Sequence, residues 1–221
     1  MNSISTALEH LRSQLTQALP TAPGLHHFDV SFPLNDAFDP LAWLGVQHCY
    51  PQFYWQQRNG DEELAALGAV AHFSSLAFAS QFLQEHDAAR DTRICGLNAF
   101  NPEQGSLFLP RLLWRRTAGQ ATLRLQLWSD SSLHDDARAA LDFLQQLGEA
   151  RPIRPLSVEV VQEKHHPEQP EWLRLIRKAT QTIARGDFEK VVLARATDLQ
   201  FKHSVNPVAL MAASRALNLN C

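Results

Sequence analysis

Between Leu107 and Trp128 the chain reads as two strand-length runs joined by Thr117-Ala118-Gly119-Gln120, and the second run dictates its own two faces. Leu123, Leu125 and Leu127 alternate with Thr122, Arg124, Gln126 and Trp128. Successive side chains of a strand point to opposite faces, so the leucines line a core face and the others a partly wet one. Such a pair belongs to an antiparallel sheet, and something must cover its leucine side. Pro110, in the first run, cannot donate to a ladder and argues for an edge or a bulge there.

Helices able to cover that face are legible from their spacing. Ile4, Leu8, Leu11, Leu15 and Leu19 make an amphipathic helix that ends before Pro20. Ser74 and Ser75 can cap a helix carrying Phe78, Phe82 and Leu83 that ends near His86. Another begins at about Ser132, with Asp135 and Asp136 at its positive end and Leu141, Leu144 and Leu147 inward. Pro170 and Glu171 open a helix with Trp172, Leu175, Ile176, Ala179 and Ile183 on one side, and Gly186 stands where a C′ glycine belongs. Asn206 and Pro207 start a last helix bearing Leu210, Met211 and Leu217.

Further strands are expected at Phe28 to Phe32, within a proline-rich stretch, and at Arg93 to Phe100, where Gly96 marks a bulge or a close approach to the backbone. Asn59-Gly60 between Phe53–Arg58 and Leu64–Val70 is a hairpin signal of the type I′ kind. Gly148 to Pro155 reads as a linker, Leu156 to Gln162 as a strand, and Glu163 to Pro170 as a polar break. The expected fold is α+β, antiparallel β-sheets layered with helices, in two parts, 1–150 and 151–221.

The 221 residues carry a net charge of −3, so no basic field draws nucleic acid or an acidic membrane. No run approaches the roughly 18 apolar residues of a membrane span. Glu9 and Arg12 break the first helix as a signal peptide. Cys49, Cys95 and Cys221 are odd in number and widely spaced, which suits reduced thiols in the cytoplasm. No nucleotide loop, zinc-protease or serine-hydrolase motif is present.

The candidate for chemistry is Lys190, in Gly186-Asp-Phe-Glu-Lys-Val-Val-Leu-Ala-Arg195. On a strand it shares a face with Val192 and Ala194. A lysine held inside a sheet pairs with a carboxylate, reaches solvent or loses its proton, and a neutral amine is a general base. The alternative is a lysine at a solvated rim, its stem covering apolar surface. Arg111, Arg115, Arg116 and Arg124 make either an anion patch or charges guarding an edge strand. Tyr54 and Trp55 line a ligand cavity or serve as packing. His26 with His27, and Lys164-His165-His166, lack the further ligands of a metal site.

The pattern Trp172-x3-Ile176-x2-Ala179-x3-Ile183-x2-Gly186-x3-Lys190-Val-Val-Leu-Ala-Arg195 resembles the start of the chorismate-binding domain. That domain is shared by isochorismate synthases, salicylate synthases, anthranilate synthase component I and aminodeoxychorismate synthase. Pro51-Gln-Phe-Tyr-Trp-Gln-Gln-Arg-Asn-Gly-Asp61, Gly96-Leu-Asn-Ala-Phe100 and Val191-Val-Leu-Ala-Arg-Ala-Thr-Asp198 extend the resemblance to the menaquinone-pathway isochorismate synthases over essentially the whole chain. The resemblance implies chorismate as substrate and Lys190 as the base that activates water for attack at C2, since the amine-adding branch has glutamine there. It also implies Mg²⁺, with the general acid and the metal ligands in sequence beyond Cys221. The expectation is therefore the N-terminal half of a two-layer enzyme, inactive by itself.

Overall fold

The computed structural model describes residues 3–33, 38–58, 60–87, 91–117 and 119–217. It divides into two compact units, Met1–Ile153 with Ser214–Cys221, and Arg154–Ala213.

The first unit is built on an antiparallel sheet of β1 (Gly24–Pro33), β2 (Gln52–Gln56), β3 (Glu62–Phe73), β4 (Cys95–Asn98), β5 (Gly105–Thr117) and β6 (Gln120–Ser129). Their order is β1-β6-β5-β3-β2, with β4 also paired to β5. The alternation in β6 is realised: Leu123, Leu125 and Leu127 are fully buried, and Leu112 and Trp114 of β5 pair with Leu125 and Leu123. Their cover comes from α1 (Ser3–Ala18), α2 (Pro40–Leu44) and α4 (His134–Gln145), through Ile4, Leu11, Leu15, Trp43, Ala137 and Leu144 among others. Each buried leucine contributes about 1.5–3 kcal/mol, so this face carries much of the unit's stability. A smaller cluster of Leu64, Ala66, Cys95, Phe108 and Leu113 forms elsewhere in the sheet.

α3 (Leu76–His86) starts as expected, with Ser75 Oγ accepting the Phe78 N–H at 3.3 Å. Its apolar face differs from expectation. Phe78 is exposed and Ala79 is the buried residue of the first turn, while Phe82 packs against Phe73 and Trp128.

Pro110 lies in an interior strand and not at an edge. It falls where β5 changes partner, after Phe108 pairs with Cys95 of β4 and before Leu112 pairs with Leu125 of β6, opposite a register shift between Ala69 and Ala71 of β3. A residue without an N–H fits where the ladder changes hands. Gly96 answers the other expectation: its φ is +138°, and a Cβ there would lie 2.1 Å from the Ser106 carbonyl oxygen.

The β2–β3 hairpin forms, but not around a two-residue turn. The Gln57 N–H reaches the Glu62 carbonyl at 2.8 Å and the Gly60 N–H reaches the Gln57 carbonyl at 2.8 Å, which leaves a longer loop. Asn59, Ala118 of the β5–β6 turn and Cys221 lie outside the described residues.

In the second unit, β7 (Val160–His166) pairs antiparallel with β8 (Ala196–Phe201), and α5 (Gln169–Ala184) lies between them in sequence. The strand expected at Leu156 to Gln162 is thus displaced, and Glu163 to His166 belong to it instead of to a polar break. Cross-strand partners explain why: His165 Nδ1 lies 2.9 Å from Thr197 Oγ1, and His166 Nε2 lies 3.0 Å from Asp198 Oδ2. α6 (Pro207–Leu217) opens on Asn206, whose Oδ1 accepts from the Val208 N–H at 2.9 Å and the Ala209 N–H at 3.2 Å.

Candidate active site

α5 ends through the glycine its sequence supplies. Gly186 has φ +83°, its N–H donates to the Ile183 carbonyl at 2.9 Å, and the Asp187 N–H donates to the Thr182 carbonyl at 3.3 Å. That pair of bonds is a Schellman motif. It sends the chain into the segment that carries Lys190.

Lys190 is exposed, and so are Glu189, Val191 and Val192. The expected strand over residues 190–195 is corrected: these residues are irregular, and β8 begins only at Ala196. Among the described residues no strand pairs with them. Without ladder partners, aliphatic propensity alone does not make a strand. At the end of the segment Arg195 turns to α5, its guanidinium carbon 6.0 Å from the centre of the Trp172 ring. That contact joins residues far apart in sequence, so no local pattern announced it.

The four arginines of the sheet are neither an open anion patch nor edge guards. Arg111 forks onto Asp136, Arg115 Nε lies 2.6 Å from Glu62, Arg116 Nε lies 3.0 Å from Glu63, and Arg124 reaches Asp29 and Asp91 at 2.6 and 2.7 Å. β5 and β6 are interior strands, and each cation there meets a carboxylate. The hydrogen bond from Arg124 holds the Asp91 carboxyl below its usual range.

Tyr54 packs against the core of the first unit. Its hydroxyl donates to Glu63 Oε1 at 2.7 Å and accepts from Arg215 Nη1 at 3.1 Å, and Arg215 forks onto Asp39 at 3.2 and 3.0 Å. Burial, opposed by Arg215 and assisted by Glu63, pushes this hydroxyl up to about 12. Trp55 is exposed. His26 and His27 are exposed on β1, and Cys49 and Cys95 are free thiols. Among the described residues no three His, Cys, Asp or Glu side chains converge as a metal site.

The profile of the chorismate binding enzymes matches residues 15–221. The chain belongs to that family. Over 221 residues it is 55% identical to isochorismate synthase MenF of Escherichia coli, covering all of this chain and 51% of that protein. It is 30% identical over 185 residues to isochorismate synthase MenF of Pasteurella multocida, covering 83% of this chain and 41% of that one. The Haemophilus influenzae MenF is 30% identical over 222 residues, with 100% and 49% covered. The solved structure of the menaquinone-specific isochorismate synthase MenF from Escherichia coli matches with a TM-score of 0.91 at 55% identity, over 100% of this chain and 51% of that one. The chain spans about half the length of the curated relatives it matches. Its layered helices and antiparallel sheets are those of the chorismate-binding fold. No helix among the described residues is long and apolar enough to cross a membrane.

Proposed function

We propose that this chain supplies the Lys190-bearing part of an isochorismate synthase that converts chorismate to isochorismate for menaquinone biosynthesis. In this reaction water adds at C2 as the C4 hydroxyl leaves, so the product is an isomer of the substrate. Lys190 Nζ accepts the proton of the attacking water, which requires a neutral amine within about 2.6–3.2 Å of it. Residues 1–150 serve as the scaffold part and 151–221 open the catalytic part. The observation that carries the proposal is the 55% identity along all 221 residues, which include the Lys190 segment.

The complete enzyme uses Mg²⁺. That ion takes oxygen ligands in near-octahedral array, and the described residues offer no converging set of three. Its ligands and the general acid are assigned to the part of the relatives that this chain does not match. The same observation favours a second reading for the 221 residues by themselves, a non-catalytic interaction module.

The test is isochorismate formation from chorismate with Mg²⁺, for this chain alone and for this chain joined to the part of the Escherichia coli relative that it does not match, each with Lys190→Ala. Activity confined to the joined chain and lost with Lys190→Ala supports the proposal. Salicylate as the product points to a salicylate synthase, and an inactive joined chain to the interaction module.

A further inference from the structure

Lys190 sits in a segment that belongs to no ladder, yet both ends of that segment are tied to the same helix. At the near end, the Gly186 and Asp187 N–H groups bond to the Ile183 and Thr182 carbonyls, in the last turns of α5. At the far end, Arg195 lies 6.0 Å from the ring of Trp172, in the first turn of α5. The chain after Gly186 therefore runs back along its own helix.

The distances show what the far tie does. Trp172 and Ile183 are about 16 Å apart along the helix axis at ~1.5 Å per residue. The chain from Asp187 to Arg195 is able to reach about 26 Å at ~3.3 Å per residue. Some 10 Å of slack therefore remains in the segment that carries Lys190; the ladder that begins at Ala196, opposite His166, fixes the chain beyond it to β7, and the contact of Arg195 with Trp172 ties the segment itself to α5.

We propose that Arg195 is a positioning residue for Lys190, holding the far end of the segment on Trp172 so that the lysine stays at a fixed place beside α5. This rests on the function proposed above. A guanidinium suits the role better than an ammonium, because its plane stacks on an aromatic face and it is more weakly hydrated.

Two readouts test it. In the 221-residue chain, ¹⁵N relaxation reports the order of residues 190–194. Arg195→Gln and Trp172→Leu are expected to lower their order parameters from about 0.8 toward 0.6, while Trp172→Phe, which keeps a ring, leaves them near the unsubstituted value. In the joined chain, Arg195→Gln and Trp172→Leu are expected to lower kcat about two- to fivefold, the range set by an exposed cation–π contact, with KM for chorismate unchanged and Trp172→Phe close to unsubstituted. Unchanged order parameters in Arg195→Gln overturn the proposal, and so does loss of order without a fall in kcat. A joined chain that is inactive with Lys190, Trp172 and Arg195 all in place overturns the isochorismate synthase assignment and any positioning role with it. The order parameters then still show whether the contact between Arg195 and Trp172 holds the segment.

Discussion

Arg111 Nη1 lies 2.7 Å from Asp136 Oδ2, and that same carboxylate oxygen accepts the Trp128 N–H at 3.0 Å. Arg111 also donates to the Gln126 carbonyl at 2.9 Å, so one ion pair ties β5, β6 and α4 together. Both side chains are largely buried. Asp136→Ala leaves a buried cation without its counter-ion and the Trp128 N–H without this acceptor, and the expected cost is about 3–5 kcal/mol. Asp136→Asn keeps an acceptor and is expected to cost less. Urea unfolding of the two variants, at unchanged m, measures the difference.

Gly96→Ala is expected to detach β4. The new methyl would sit 2.1 Å from the Ser106 carbonyl oxygen, in a backbone conformation side chains rarely adopt. Strain of this kind costs about 1–3 kcal/mol before any steric term is added. Gly186→Ala, where φ is also positive but nothing lies within 4 Å, is expected to cost only about 1–2 kcal/mol. Hydrogen exchange at the β4–β5 amides should rise in the first variant and stay unchanged in the second.

The local signals read from the sequence found their structures because they involve neighbours in the chain. Ser75, Asn206 and Gly186 each act within a few residues, and the leucine alternation of β6 needs only a covered sheet. What the sequence left dark depends on partners distant in the chain. Asp136 looked sufficiently explained by the helix dipole, yet its partner is Arg111, 25 residues away. The strand expected at Lys190 rested on Val-Val-Leu-Ala, whose propensity is satisfied only when another strand lies alongside. His165 and His166 looked like loop residues because Thr197 and Asp198, which pair with them, come 32 residues later. The candidate base was legible as a residue type in a motif, but its surroundings were not.

Burial pushes the Cys95 thiol up to about 12, from an ordinary value near 9. The folded chain therefore keeps a proton that the unfolded chain gives up above pH 9. The contribution to stability is whole below that pH and is lost as pH rises toward 12, with a slope of at most about 1.4 kcal/mol per pH unit. Tyr54, also raised to about 12, adds the same trend from its own ordinary value of 10. Cys95→Ala is expected to flatten the alkaline fall in stability by the cysteine's share, as read from urea midpoints between pH 8 and 10. In the native chain at pH 8, iodoacetamide should label Cys49, which is only partly buried, well before Cys95.

Replacing Lys190 separates activity from stability. The side chain is exposed and lies outside every strand and helix, so Lys190→Gln is expected to change unfolding free energy by no more than about 0.5 kcal/mol. A general base contributes about 10²–10⁴-fold to rate, so the same substitution in the joined chain is expected to lower kcat by at least about a hundredfold. Thermal unfolding and initial rates on the same preparation decide the point. A fall in both would mean that Lys190 holds the fold, which its exposure argues against. A fall in neither would remove Lys190 from the chemistry and leave the attacking water's proton to another group.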